Sequence, residues 1–201
     1  MQILYIANQH KIRKDDMMVK VGIIAGSLRK DSFSKKIAQK AKELFPAGFE
    51  AELIDISNLP VYNEDYDSGG NPPEGYTSFR NKMKEVDAVL FVTPEYNRSM
   101  PPALKNALDV GPRPYGDSVW EGKPAAIISQ SPGRLSGFGA NHHLRQVMVF
   151  LNMPVVQQPE TYIGIEENSF DSNGNLVDER IIASIEALVD AFVELIKKYK
   201  S

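Results

Sequence analysis

The chain has no cysteine among its 201 residues. That excludes disulfides, thiolate catalysis and iron–sulfur ligation, and it suits a reducing cytoplasm. Histidine is nearly as scarce: only His10, His142 and His143. The adjacent pair would point about 100° apart on a helix, so the two cannot share a metal ion, and no zinc site is expected. Positive charge is not in excess: the formal net charge is −3, so a nucleic-acid partner has no electrostatic footprint. No apolar run approaches the ~20 residues of a membrane helix. The opening "MQILYIANQHKIRKDDMM" has a short apolar start, then charges, and no small-residue cleavage site, so no signal peptide is expected. Two phosphate-binding patterns are also missing. There is neither GxxxxGK[ST] nor GxGxxG with its downstream acid, so neither a nucleoside triphosphate nor a dinucleotide of the Rossmann type is announced.

What is present is an alternation. Short, continuously apolar runs fit strands buried on both faces: "KVGIIAG", "FEAELIDIS", "DAVLFVTPEYN", "KPAAIISQS" and the extended piece "PVVQQPETYI". Between them lie helical patterns at 32–45, 77–86, 100–110 and 139–153, and an amphipathic helix over 181–199 closes the chain. The third of these begins with prolines, which a first helical turn tolerates. "NLPVYNEDYDSGGNPPEGY" is polar and turn-rich and is expected to be a surface loop. The pattern predicts an α/β, doubly wound, five-stranded parallel sheet with helices on both faces, flavodoxin-like in layout. Residues 19–201 form the one expected domain, and residues 1–18 precede it as an extension. The extension is either an added strand, with "ILYIA" at a sheet edge, or sequence upstream of a start near Met17.

Ligands of such sheets bind beyond the carboxyl ends of the strands. Three loops lie there. "GSLRKDSFS" follows the first strand, with Gly26 for the turn, hydroxyls at Ser27, Ser32 and Ser34, Arg29 as a fork for phosphate oxygens, and Lys30 as a more distant charge. Unpaired amides at the following helix start would add to it, which suits a single phosphate monoester. The plainer alternative makes Ser32 or Ser34 a helix cap and Arg29 a solvated side chain. In "TPEYNRSMPPALKNALD", Pro94 stiffens the strand exit, main-chain groups are offered to a flat heterocycle, Tyr96 adds an aromatic face and Asn97 a donor and an acceptor. Here the alternative is a connecting loop with Tyr96 in the core. Glu95 has no visible acid partner for general-base work. In "SQSPGRLSGFGANHHLRQ", Ser129, Gln130, Ser131, Gly133, Gly137 and Gly139 make a polar loop that permits close approach, or an ordinary glycine-rich loop.

Taken in order, these loops resemble the NADPH-dependent FMN reductase family of the flavodoxin-like superfamily. "GSLRKDSFS" resembles its GSLRxxSxN phosphate loop, "TPEYNRSMPPALKNALD" its TPEYNxSxPxxLKNxxD segment, and "GKPAAIISQSPGRLSGFGANHHLRQ" its GKP strand, Ser-Gly loop and HLRQ helix. The resemblance runs from about Val19 to Lys198. It implies FMN as cofactor and NADPH or NADH as donor, with the flavin rather than a side chain carrying the chemistry. Ser27, Arg29, Ser32, Phe33 and Ser34 would hold the FMN phosphate. Pro94, Glu95, Tyr96 and Asn97 would border the isoalloxazine, and Ser129, Gln130, Ser131 and Gly133 would reach its other side. Arg113 resembles an arginine near the mouth. Ping-pong transfer to a quinone, azo compound, free flavin or chromate is implied, in a homodimer or homotetramer; an FMN-binding electron carrier is the alternative. "HHLRQVMVFLNM" and the Val110–Trp120 loop are the expected interface. Ser34 replaces the family's asparagine, Ser136 the first glycine of its pair, and Val110 its tryptophan.

Overall fold

The structure is a computed structural model, and it describes residues 18–166 and 168–200. The expectation that "ILYIA" pairs at a sheet edge falls outside the described residues. The strands are β1 (Val19–Ala25), β2 (Phe49–Leu53), β3 (Ala88–Pro94), β4 (Ala125–Ser131) and β5 (Thr161–Gly164). The helices are α1 (Phe33–Glu43), α2 (Glu64–Ser68), α3 (Glu74–Glu85), α4 (Pro102–Val110), α5 (Phe138–Phe150) and α6 (Glu179–Lys200).

All four strand pairings are parallel, in the order β2-β1-β3-β4-β5. Strand order therefore reverses between β1 and β3, which is where such sheets open a crevice. The apolar runs are buried on both faces because successive residues feed two separate cores. Val21, Ile23, Leu90, Val92 and Ile128 pack with α1 and α6. Ile24, Val89, Phe91 and Ile127, one residue out of phase, pack with α3, α4 and α5.

The elements differ from the sequence expectation chiefly at three places, and α3 begins at Glu74, three residues inside the expected loop. β2 stops at Leu53, short of Ser57: Ile54 N still donates to Ile23 O, and then Asp55 turns the chain by accepting from Ser57 N at 2.9 Å. The extended piece at 154–163 is broken, with an isolated bridge at Val155 before β5 begins. The expected surface loop contains α2, started by Asn63, whose side chain accepts from Asp65 N at 3.0 Å. This short helix is anchored by Asp67, which meets the Arg80 guanidinium of α3 in a two-pronged contact at 2.7 and 2.8 Å. Arg80 also donates to Val110 O at the end of α4, 3.0 Å away. Both side chains are buried, so removing one partner would leave an uncompensated charge and cost about 3–5 kcal/mol.

Candidate functional site

The β1–α1 loop leaves the sheet at Gly26, whose N–H makes a last bond to Val92 O at 2.8 Å. Its hydroxyls turn inward. Ser32 caps α1 by accepting from Lys35 N at 3.3 Å, and Ser27 Oγ accepts from Arg29 N at 3.4 Å. Ser34 is 0% exposed, and its Oγ accepts from Gln130 Nε2 at 3.1 Å. Phe33 stacks on Phe170, with ring centroids 5.1 Å apart. The backbone and the cations turn the other way. Phe33 and Ser34 open α1, so their N–H groups have no acceptor within the helix. Arg29 and Lys30 are exposed. The loop thus has the make-up of an anion cradle, with backbone N–H groups and the exposed Arg29 guanidinium turned outward and buried serines holding its shape. The sequence offered the Ser32 cap only as the plainer alternative, and the structure makes it.

The β3–α4 loop is built the opposite way. Glu95, with its side chain 8% exposed, accepts from Ala140 N at 3.2 Å and from Arg98 at 3.1 Å. It is therefore a tie between this loop and α5. Tyr96 and Ser99 exchange backbone hydrogen bonds of 2.8 and 3.0 Å around Asn97 and Arg98, which have φ of 49° and 70°. Two successive left-handed residues make a type I′ turn. The turn leaves Asn97 exposed and Tyr96 41% exposed, so Tyr96 is not a core residue. Pro94 is buried at the strand end.

The β4–α5 loop closes against both. Ser129 Oγ donates to Ser136 O at 3.4 Å, and Ser131 Oγ accepts from Gly133 N at 3.0 Å. Gln130 points its amide across to Ser34, and the second polar atom of that amide is buried with no hydrogen-bond partner among the described residues. Gly137 sits at φ +84°, with no room for a Cβ beside Ser129. A Cβ on Gly139 would lie 2.6 Å from Arg98 O and 3.0 Å from Glu95 Oε2. Such backbone-to-backbone closeness needs glycine there.

The two histidines of α5 diverge as expected. His143 Nδ1 lies 2.9 Å from Ser99 Oγ, while His142 Nε2 lies 3.0 Å from Tyr162 OH. Burial and the neighbouring Glu160 push the Tyr162 hydroxyl up to about 12, so it stays protonated at neutral pH. Among the described residues, no group of three or more histidines and acids could hold a metal ion. Arg113 is in none of the three loops. Its guanidinium covers the Tyr115 ring at 3.8 Å and donates to Tyr62 OH at 3.2 Å, in a cleft of about 500 Å³ between α4 and α5. Both ends of the Val110–Trp120 loop are buried in the subunit's own core, which removes them from the expected interface.

The structure thus gathers the predicted residues at the carboxyl edge of β1, β3 and β4. Sequence reasoning missed Arg98, which pairs with Glu95; a polar residue forced into a left-handed turn gives little signal in one sequence. It also missed the ties formed by Glu95 with α5 and by Ser34 with Gln130, because both join distant segments.

Known proteins resemble this chain in sequence and in fold. Residues 19–168 match the family model for NADPH-dependent FMN reductase. A quinone reductase from Pseudomonas putida is 49% identical over 177 residues, which covers 88% of this chain and 94% of the relative. A 2-hydroxy-1,4-benzoquinone reductase from a Burkholderia species is 42% identical over 181 residues, 90% of this chain and 98% of the relative. Among solved structures, the flavoenzyme NAD(P)H:(acceptor) oxidoreductase FerB from Paracoccus denitrificans has a TM-score of 0.83 and 36% identity, covering 90% of this chain and 98% of that one. A match over three quarters of the sequence, with relatives aligned along nearly their full length, places this chain in the NADPH-dependent FMN reductase family.

Proposed function

We propose that the chain is an FMN-dependent NAD(P)H oxidoreductase whose acceptor is a quinone or a similar small oxidant. The observation that carries this is the convergence of the anion cradle and the two locked loops on one sheet edge. The residues fit the cofactor. The α1 amides and Arg29 suit its phosphate, and Lys30 adds a more distant charge. The exposed Tyr96, Asn97 and the main chain of Pro94–Asn97 suit the edge of a flat heterocycle. Ser131 and Gly133 suit its other side, with Ser129 and Gln130 holding that loop from beneath.

When bound, FMN supplies two-electron redox chemistry. The net reaction is NAD(P)H plus a proton plus quinone giving NAD(P)⁺ and hydroquinone. The protein's part is to bind and orient. Ser27, Ser32, Phe33 and Ser34 fix the cradle. Glu95, by tying the second loop to α5, sets the position of the groups that would face the ring. N–H groups of the loops would favour negative charge on the reduced ring. The relatives' names speak for a quinone as acceptor, and azo compounds, free flavin and chromate are further candidates.

We place the enzyme in the cytoplasm and expect a homodimer or homotetramer. Val149 and Phe150, 80% and 86% exposed on α5, support the self-association. A monomer in sedimentation at working concentration would sink that part. The central test is the visible spectrum of the purified protein with NADPH or NADH added without oxygen. Flavin bands that bleach, followed by quinone-dependent turnover, are expected. Bands that persist with both nucleotides would mean an electron carrier, and no bands after FMN is added back would overturn the cofactor itself.

A further inference from the structure

A line of buried polar groups runs from the middle of α5 to the β4–α5 loop. Asn141 and Ser129 are 0% exposed, and the Arg145 side chain is 16% exposed. Arg145 follows Asn141 by one helical turn, so the two share a face of α5. Its Nε donates to Asn141 Oδ1 at 3.0 Å, and its Nη1 to Val156 O, also at 3.0 Å. The Asn141 Nδ2 donates to Ser129 Oγ at 3.4 Å, and Ser129 Oγ donates to Ser136 O at 3.4 Å. The direction of this line is forced. A guanidinium has donors and no acceptor, so Asn141 must turn its oxygen to Arg145 and its NH₂ to Ser129. Ser129 Oγ then accepts from Asn141, and its one hydrogen is left for Ser136 O. A residue at 145 able both to give and to accept would let the amide and the hydroxyl turn round, and Ser136 O would lose its donor.

What the line holds is one peptide unit. Ser136 and Gly137 are both left-handed, with φ of 50° and 84°. A residue with a side chain keeps such a conformation only where its surroundings impose it. The peptide between them is planar and trans, so its C=O and N–H point in opposite directions. With the C=O turned to Ser129, the N–H of Gly137 points away from it, and it has no backbone acceptor among the described residues. Gly137 is also pressed onto the end of β4: a Cβ there would lie 2.8 Å from Ser129 Cβ and 2.9 Å from Gln130 N.

We propose that Arg145 is a positioning residue: through Asn141 and Ser129 it fixes the Ser136–Gly137 peptide with its N–H turned to the flavin ring. The proposal rests on the reductase reading above. A fixed N–H favours the ring when it carries negative charge, which is when it is reduced. The line therefore raises the midpoint potential of bound FMN, and with it the ease with which NAD(P)H loads the enzyme with electrons.

The test compares Arg145→Gln with Arg145→Lys in the FMN-loaded protein, with the midpoint potential read by dithionite titration against a reference dye. Glutamine donates and accepts, so it does not force the line; lysine only donates, so it does. Both variants should lose stability in urea, because neither reproduces the two-pronged hold on Asn141 and Val156. Only Arg145→Gln should lower the potential, by about 30 mV, which for a two-electron couple is a tenfold weaker hold on reduced than on oxidised flavin. Arg145→Lys should keep the wild-type value. An unchanged potential in Arg145→Gln, or equal shifts in the two variants, would overturn the proposal and leave Arg145 a residue of the fold alone. Should Arg145→Gln fail to fold, Ser129→Ala removes the last donor of the line and should give the same fall; an unchanged potential there overturns the proposal as well. The titration needs no nucleotide. FMN that binds but is reduced by neither NADPH nor NADH ends the reductase reading and leaves this test standing, whereas absence of FMN binding ends both.

Discussion

The β1–α1 and β3–α4 loops leave paired strands side by side, yet they use their side chains in opposite ways. In the first, neutral hydroxyls are buried and hold the backbone, while Arg29 and Lys30 stay exposed. In the second, a carboxylate is buried and holds the backbone, while Tyr96 and Asn97 stay free. What each loop leaves exposed matches what it is proposed to meet. Free cations and amides suit a phosphate; a free aromatic and a carboxamide suit a planar ring. The lesson is that the chemically loudest residue of a loop can be spent on holding the loop's own shape. Glu95 resembles a catalyst and is a tie. Ser34 resembles a phosphate ligand and is a buried link to Gln130.

The sharpest way to break this contrast is Gly139→Ala. The new methyl would press on Arg98 O and Glu95 Oε2, and only the second loop would be displaced. A loss of about 2–3 kcal/mol in denaturant unfolding is expected from such overpacking, together with a lower FMN-to-protein ratio. Arg29→Ala attacks the first loop from its free side. FMN affinity should fall about 30-fold, roughly 2 kcal/mol, while the apoprotein melts within the error of the wild type, because exposed side chains contribute little to stability. Equal FMN affinity would remove Arg29 from the site. Ser34→Ala attacks the same loop from its buried side and should show the reverse. It strips the Gln130 amide of its remaining partner and should cost about 1–2 kcal/mol of stability, with FMN affinity shifting less than in Arg29→Ala. If Ser34→Ala lost FMN without losing stability, the contrast between the loops would be wrong. The smallest effect is expected from Arg98→Gly. It relieves a left-handed residue worth about 1 kcal/mol and gives up a contact with an exposed guanidinium worth about as much, while Glu95 keeps its bond from Ala140 N, so the midpoint of unfolding should barely move.

Much of this was legible in the sequence. The strands could be read because residues such as Ile23 and Ile24 are both apolar although they point to opposite faces, and that happens only in a sheet covered on both sides. The three loops could be read because glycine, proline and hydroxyl residues cluster at strand ends. Two things could not. One is α2, whose five residues bury only the Asp67 carboxylate and no apolar side chain, and so leave no apolar period. The other is the direction in which a loop side chain turns. Ser34 and Gln130 stand 96 residues apart, and only the completed sheet brings them within 3.1 Å. Local chemistry predicts what a serine is able to bond, and tertiary packing decides which way it faces.

The buried pair of Asp67 and Arg80 has a consequence for how this sequence can vary. Loss of either partner alone would remove about 3–5 kcal/mol from a domain whose whole margin is ordinarily about 5–15 kcal/mol. A lineage that carries the pair can leave it only by changing both residues together, or after gaining stability elsewhere. The segment from β2 to α3 inherits a fixed reach as well as fixed residues, since Asp67 must arrive where Arg80, anchored to the end of α4, already waits. Insertions in that segment should therefore collect before Asn63 or after Gly70, leaving the short helix between them at constant length across the chain's descendants.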